Sequence, residues 1–281
     1  MGTDPASEIS PVGTPPLKPI DIPTRLADTP SIGPRNAVTI KNSAGNTVTV
    51  ADPNATRAAV ALMNVHAVVG GAACHWGGPA AFAEIMAATH ALMFAAEGRQ
   101  WHEAFNFVND AGHTENGVYA LRANYGFDGL DYKALRGFRG IKSKLTGHGE
   151  SHINPGGILI SNGPLGSGLP QAQGLAVGDK ILGNERVTIC TISDGAMMEG
   201  EAKESLAAIP GLAAKGRVNP FVLILSDNDT KLSGRITDDS FSMQPSFKTL
   251  GELGWSVTKV SDGHDLQAVY LAIEEGIADA H

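Results

Sequence analysis

From Asn162 onward, short apolar runs rich in β-branched residues alternate with longer stretches that can form helices. GPLGSGLPQAQGLAVGDKIL reads as a Gly-rich turn entering a helix, RVTICTIS as a strand and AMMEGEAKESLAAI as a helix beginning near Ala196; PFVLILS is a strand, SFKTLGELG a helix, WSVTKV a strand and LQAVYLAIEEGIADA a helix. Strands alternating with helices build a parallel sheet covered on both faces, and ligands of such sheets sit at the carboxyl ends of the strands. The chain is therefore expected to be α/β, a doubly wound and mainly parallel sheet with helices on both faces.

Upstream the pattern is less regular. Residues 1–36 are rich in Pro, Thr and Ser without a period, so an extended arm is expected there, able to wrap a neighbour. AVTIKNSAGNTVTVAD (37–52) alternates on both sides of Ser-Ala-Gly-Asn and reads as a hairpin. Residues 53–281 form the main domain. Within it, a helix opens with Asp52 as N-cap and Pro53 at the first position and closes on Gly70-Gly71. A second buried helix is expected over 79–96, a strand, turn and helix over FNFVNDAGHTENGVYALRANYG, and a charged helix around 132–138.

A net charge of −8 argues against general attraction to nucleic acid or anionic membranes, so small molecules and protein are the expected partners. No apolar run approaches the ~20 residues of a membrane span, and no signal peptide is apparent. The two cysteines, Cys74 and Cys190, lack metal or redox spacing and read as buried thiols in a reducing cytoplasm.

Two of the apolar runs end in hard oxygen ligands: Asp194 in SDG and Asn228 in DND. Magnesium takes one or two protein carboxylates and completes its octahedron with phosphate and water, so an Asp and an Asn at adjacent strand ends suit a metal diphosphate. The plainer reading of Asp-Gly after a strand is an N-cap and turn. HGESH lacks a third ligand for a metal, and GSGLPQ puts Gln171 where a dinucleotide loop needs its third glycine.

Together, SDGAMMEG and NDTKLSG, with the 32 residues 196–227 between Gly195 and Asn228, resemble the thiamin diphosphate signature, and within that group transketolase. Met198-Glu199-Gly200, GPLGSG at 163–168, LTGHGES around His148, NDAGHTENGVYAL around His113 and ACHWGGPAAFAEI around His75 follow the order of the transketolase motifs. The resemblance implies the thiamin diphosphate-binding fold, with Mg²⁺ or Ca²⁺ bound by Asp194, the Asn228 side chain and the Thr230 carbonyl. It implies further that Gly195 approaches the diphosphate, that Gly163 and Leu165 sit beside the cofactor rings, and that Glu199 belongs to a carboxylate network between two active sites of a dimer. His75, His113 and His148 would line the channel at the reactive carbon, His113 also touching the cofactor. The other histidines have no such context; His264 in SDGHD reads as a structural turn, and Met197 and Met198 as packing.

The activity this implies is transfer of a two-carbon ketol unit between sugar phosphates, as in the pentose phosphate pathway. The alternatives are the first component of a 2-oxo acid dehydrogenase, a deoxyxylulose phosphate synthase, or a non-catalytic cofactor-binding paralogue. Ser193, Gly149 and Trp76 depart from the pattern and point to a divergent branch. In the family, a pyrimidine-side domain or subunit supplies the glutamate that activates the cofactor. The chain is accordingly expected to be inactive alone and to act as a homodimer or heterotetramer. It would be either a fragment or the small subunit of a split enzyme, with the fragment favoured because the strand and His-bearing loop that normally close the domain are not reached.

Overall fold

The computed structural model describes residues 25–231 and 234–281, so most of the expected arm lies outside the described residues. In chain order the elements are β1 (Ala37–Lys41), β2 (Thr47–Ala51), α1 (Pro53–Val69), α2 (Gly77–Ala81), α3 (Ala83–Phe94), the single turn α4 (Trp101–Ala104), β3 (Phe105–Asn109), α5 (Glu115–Tyr125), α6 (Gly168–Leu182), β4 (Val187–Ser193), α7 (Gly200–Ala213) and β5 (Phe221–Ser226). They are followed by β6 (Thr230–Lys231), β7 (Gly234–Arg235), α8 (Ile236–Asp239), α9 (Gln244–Lys248) and α10 (Leu266–Asp279).

Strands β3, β4 and β5 form one parallel sheet with β4 in the centre. Because successive strand side chains point to opposite faces, the apolar runs divide cleanly. Phe107, Ile189 and Val222 pack on one side with Phe82 and Met86 near α3 and with Val269 and Ile273 of α10. Val108, Cys190 and Ile192 pack on the other with Leu169 of α6 and with Leu206 and Ile209 of α7. The fold is thus α/β with a parallel sheet between helical layers. Strands β1 and β2 pair antiparallel over 37–51, separately from that sheet.

Several local expectations differ from the structure. The helix expected over 79–96 is two helices meeting at Phe82, whose φ of −86° and ψ of −2° bend the chain while its side chain is buried. The segment around 132–138 forms only a 3₁₀ turn, Ala134–Gly137, which seats Leu135 against the core. Ala196–Met198 is likewise a 3₁₀ turn, and α7 starts later, at Gly200. The helix read from SFKTLGELG is the five-residue α9, followed by turns. WSVTKV is no strand: no described strand pairs with 255–260, and Trp255 instead anchors by donating from Nε1 to the Leu206 carbonyl. Cys190 is buried, whereas Cys74 is only half-buried.

Helix α1 begins as its sequence dictates, with the Asp52 carboxylate accepting from the Asn54 amide at 2.8 Å and Pro53 at the first position. In the core, His90 has no exposed surface. Its Nδ1 meets the Met86 carbonyl at 2.9 Å, and its ring lies edge-on to Phe94 and Phe107. Burial, reinforced by the charge of Arg122, pushes its pKa down to about 3. Between the ordinary value near 6.5 and about 3, the unfolded chain therefore binds a proton that the native chain refuses, so stability falls as pH falls through that window. The expected slope is up to about 1.4 kcal/mol per pH unit. Urea unfolding of the wild type and His90→Leu at about pH 7 and about pH 5 measures it; the substitution should flatten the dependence.

Candidate active site at the carboxyl ends of the strands

Each strand of the parallel sheet delivers a polar residue at its carboxyl end, and two of these are buried aspartates. Asp110 follows β3 and has no exposed surface. Its carboxylate accepts the amides of Gly166 at 3.0 Å, Gly168 at 2.7 Å and Leu169 at 3.2 Å. It thereby satisfies the orphan amides at the start of α6 and complements the positive end of that helix. Burial raises the pKa of Asp110, while the three amide bonds oppose the rise. Asp194 follows β4 and is 1% exposed. Its Oδ1 accepts from Gly195 at 2.8 Å, and its Oδ2 from Asn228 at 3.0 Å and Asp229 at 2.7 Å, which fastens the loop after β5 to the end of β4. Its pKa is also raised by burial against the pull of those bonds.

The Asn228 side-chain oxygen accepts the Thr230 amide at 2.9 Å, so Asp194, Gly195, Asn228 and Thr230 lie in one cluster. A cavity of about 250 Å³ opens beside it, lined in part by Asp194, Asp227, Asp229 and Thr237. Among the described residues no group of three His, Cys, Asp or Glu side chains could hold a metal by itself. The donor set nonetheless fits a hard cation that brings phosphate oxygens with it. Asp194 Oδ1 and Asn228 Oδ1 each accept a single hydrogen bond and keep a lone pair, and a side chain added at Gly195 would meet nothing within 4 Å.

The three histidines singled out from the sequence converge. The rings of His75 and His113 are 5.5 Å apart between centroids, and those of His75 and His148 6.3 Å. His75 is held through its carbonyl, which accepts from the Asn64 and Asn116 side-chain amides at 2.8 and 3.0 Å. Burial, then the neighbouring His75 and His148, push the pKa of His113 down to about 4; burial, His148 and Arg139 lower that of His75.

The GPLGSG loop joins the two clusters. Gly163 lies beside the His148 ring. Gly166 has φ +80°, and a Cβ there would stand 2.6 Å from Glu199 Cβ, so only glycine lets the loop seat against Glu199. Leu165 and Glu199 are exposed. His264 stands apart, beside Arg57 and Glu84.

Asp110, Glu115 and Asn162 were not singled out from the sequence. Asn162 donates to Glu115 Oε2 at 3.1 Å and accepts the Gly149 amide at 2.6 Å, tying the His148 segment to the head of α5. Asp110 carried a readable signal, an apolar run stopping at an aspartate, as at Asp194. Glu115 and Asn162 carried none, because their partners are remote in sequence.

A family model described as the thiamine diphosphate binding domain of transketolase matches residues 53–281. The transketolase of Halalkalibacterium halodurans is 34% identical over 192 residues, covering 64% of this chain and 27% of that protein. Transketolase 1 of Escherichia coli is 28% identical over 236 residues, covering 78% and 34%. A solved transketolase from Leishmania mexicana superposes with a TM-score of 0.65 at 26% identity, covering 81% of this chain and 35% of that one. The chain thus spans about a third or less of these relatives' length.

The shifts predict how the imidazoles titrate. In the isolated chain the His113 resonances should stay in the neutral form down to about pH 4. A nuclear magnetic resonance titration showing His113 half-protonated near its ordinary value of about 6.5 would contradict the buried arrangement.

Proposed function

The chain belongs to the transketolase family through its thiamine diphosphate binding domain, and on that premise we propose that residues 53–281 act as the diphosphate-side domain of a transferase. The enzyme moves a two-carbon ketol unit between sugar phosphates, in the cytoplasm and in the pentose phosphate pathway. No helix among the described residues is long and apolar enough to cross a membrane. Residues 1–36 serve as an arm and 37–52 as a hairpin before that domain.

The reading is supported above all by the convergence of His75, His113 and His148 next to a loop whose far end seats Glu199. Thiamin diphosphate, when bound, supplies the carbon nucleophile and electron sink for cleavage beside a carbonyl. Asp194, the Asn228 side chain and the Thr230 carbonyl hold Mg²⁺ or Ca²⁺, with Gly195 leaving room for the diphosphate. Gly163 and Leu165 flank the cofactor rings. His75 and His113, disfavoured as cations, accept and donate hydrogen bonds to sugar hydroxyls at their ring nitrogens, with His148 beside them. Glu199 joins a second copy's site, in a homodimer or heterotetramer. A pyrimidine-side domain or subunit completes the enzyme, and the 281-residue chain alone does not turn over.

Calorimetry tests the cofactor assignment. Binding of thiamin diphosphate should require Mg²⁺ or Ca²⁺, and Asp194→Ala should weaken it by about tenfold or more; unchanged affinity would remove Asp194 from the site.

The histidines are tested in the enzyme completed with its pyrimidine-side domain. His113→Ala and His148→Ala should each lower ketol transfer by ~100-fold while melting temperatures change little. Equal loss of stability and activity would make them core histidines instead. Turnover by the isolated chain near the rate of the completed enzyme would contradict the need for a second domain.

A further inference from the structure

One side of the histidine cluster rests on a buried carboxylate that takes no part in the proposed chemistry. Glu115 opens α5 and is 2% exposed. Its Oε2 accepts two side-chain amides, Nδ2 of Asn109 at the end of β3 and Nδ2 of Asn162, each at 3.1 Å. Burying a carboxylate is costly unless it is hydrogen-bonded. Among the described residues, the bonds of Glu115 go to these two side chains rather than to the orphan amides of the helix it opens.

Asn162 carries the connection into the site. Its Nδ2 also donates to the Asn109 carbonyl at 3.0 Å, its Oδ1 accepts the Gly149 amide at 2.6 Å, and its own amide donates to the Gly149 carbonyl at 2.9 Å. Both backbone polar groups of Gly149 are therefore taken by one residue. The fit is close: a Cβ at Gly149 would stand 3.0 Å from Asn162 Nδ2 and 3.2 Å from Glu115 Cδ, and one at Gly112 would stand 2.5 Å from Asn162 Oδ1. The peptide unit that joins His148 to Gly149 is thus held at its N–H by Asn162. Its carbonyl accepts from Thr146 Oγ1 at 2.6 Å and from the Tyr119 hydroxyl at 3.5 Å, Tyr119 lying one turn after Glu115 on α5. A peptide plane held at both polar atoms leaves the imidazole of His148 only its own rotamers. Asn162 also precedes Gly163, which lies beside that ring.

Resting on the reading that places His148 at the reacting sugar, we propose that Glu115 is a positioning residue for this imidazole, acting through Asn162. The requirement is for an acceptor. Two amide N–H groups converge on Oε2, and with Nδ2 of Asn162 engaged there and on the Asn109 carbonyl, Oδ1 is left facing the Gly149 amide. Without an acceptor at position 115, buried amide hydrogens lose a partner and the orientation of Asn162 loses one of its two anchors.

Two substitutions of similar size separate the acceptor from the volume it fills: Glu115→Leu removes it and Glu115→Gln keeps one oxygen. In the 281-residue chain, hydrogen exchange followed by nuclear magnetic resonance reads the Gly149 amide. Glu115→Leu should speed that exchange by about tenfold, the worth of a hydrogen bond, and Glu115→Gln should leave it near wild type. In the enzyme completed with its pyrimidine-side domain, Glu115→Leu should lower ketol transfer by about tenfold or more, since small misplacements are costly, and Glu115→Gln should restore it. In a His148→Ala background, Glu115→Leu should change turnover by no more than about twofold, because the residue through which it acts is gone. A merely structural role would cost the same in both backgrounds. Melting temperatures confirm that each variant is folded; should Glu115→Leu not fold, Asn162→Ala decides on the same measures. Unchanged Gly149 exchange in the leucine variant, or equal losses of turnover with and without His148, overturns the proposal. If His148→Ala itself leaves turnover intact, the functional reading fails instead, and the Gly149 exchange still decides the link from Glu115.

Discussion

Two carboxylates buried at the ends of adjacent parallel strands hold the site together. Removing a carboxylate from water is costly unless hydrogen bonds replace the lost hydration, and each of Asp110 and Asp194 receives three backbone amides. The arrangement works in both directions. The amides would otherwise be orphans of a helix start and of tight loops, and the charges would otherwise be stranded in the protein interior. Asp110 fixes the GPLGSG loop and the start of α6; Asp194 fixes the loop after β5. Between them they determine where Gly163, Gly166, Gly195 and Asn228 stand.

The histidine cluster depends on the same frame at one remove. His148 follows a loop closed by Arg139 and Leu145 and is tied through Gly149 and Asn162 to Glu115 on α5. His75 hangs by its carbonyl from Asn64 on α1 and Asn116 on α5. Helix α5 is therefore the common support of two of the three imidazoles, while His113 enters from the turn that precedes it. Desolvation of the His113 and His75 rings follows from the packing and disfavours their cationic forms, which leaves them as donors and acceptors of hydrogen bonds.

Much of this was legible in the sequence, and the reason is local. The run at 187–193 announces a strand because both faces of a central parallel strand are buried, so every position must be apolar or a small hydroxyl, and 221–226 has the same composition on a partly buried strand that pairs with it. The ligand end of the sheet follows from the alternation with helices, and Asp52-Pro53 and Gly70 mark the ends of α1 through groups adjacent in the chain. The motifs around His75, His113, His148, Asp194 and Asn228 are equally compact, and the transketolase family follows from their order. WSVTKV misled for the opposite reason: its β-branched residues have the propensity of a strand, but pairing needs a neighbouring edge, which its own residues do not encode.

Tertiary structure alone decided the rest. ENGVYALRANY carries Glu115, Asn116, Arg122 and Asn124, a composition that reads as a surface helix, yet all eleven residues of α5 are buried. The polar groups are satisfied from distant segments: Asn124 exchanges two 2.7 Å bonds with the backbone of Asn36, and Arg122 bonds Gly157 and lies over the Phe127 ring. The same holds for Asp110, whose hydrogen-bond partners are more than fifty residues away. Sequence determined the strands at 187–193 and 221–226, the Asp194 that ends the first of them and the histidines that accompany them, because those properties reside in neighbours along the chain. Only the folded chain decided which buried polar groups find partners, because hydrogen-bond satisfaction is a property of the surroundings in space.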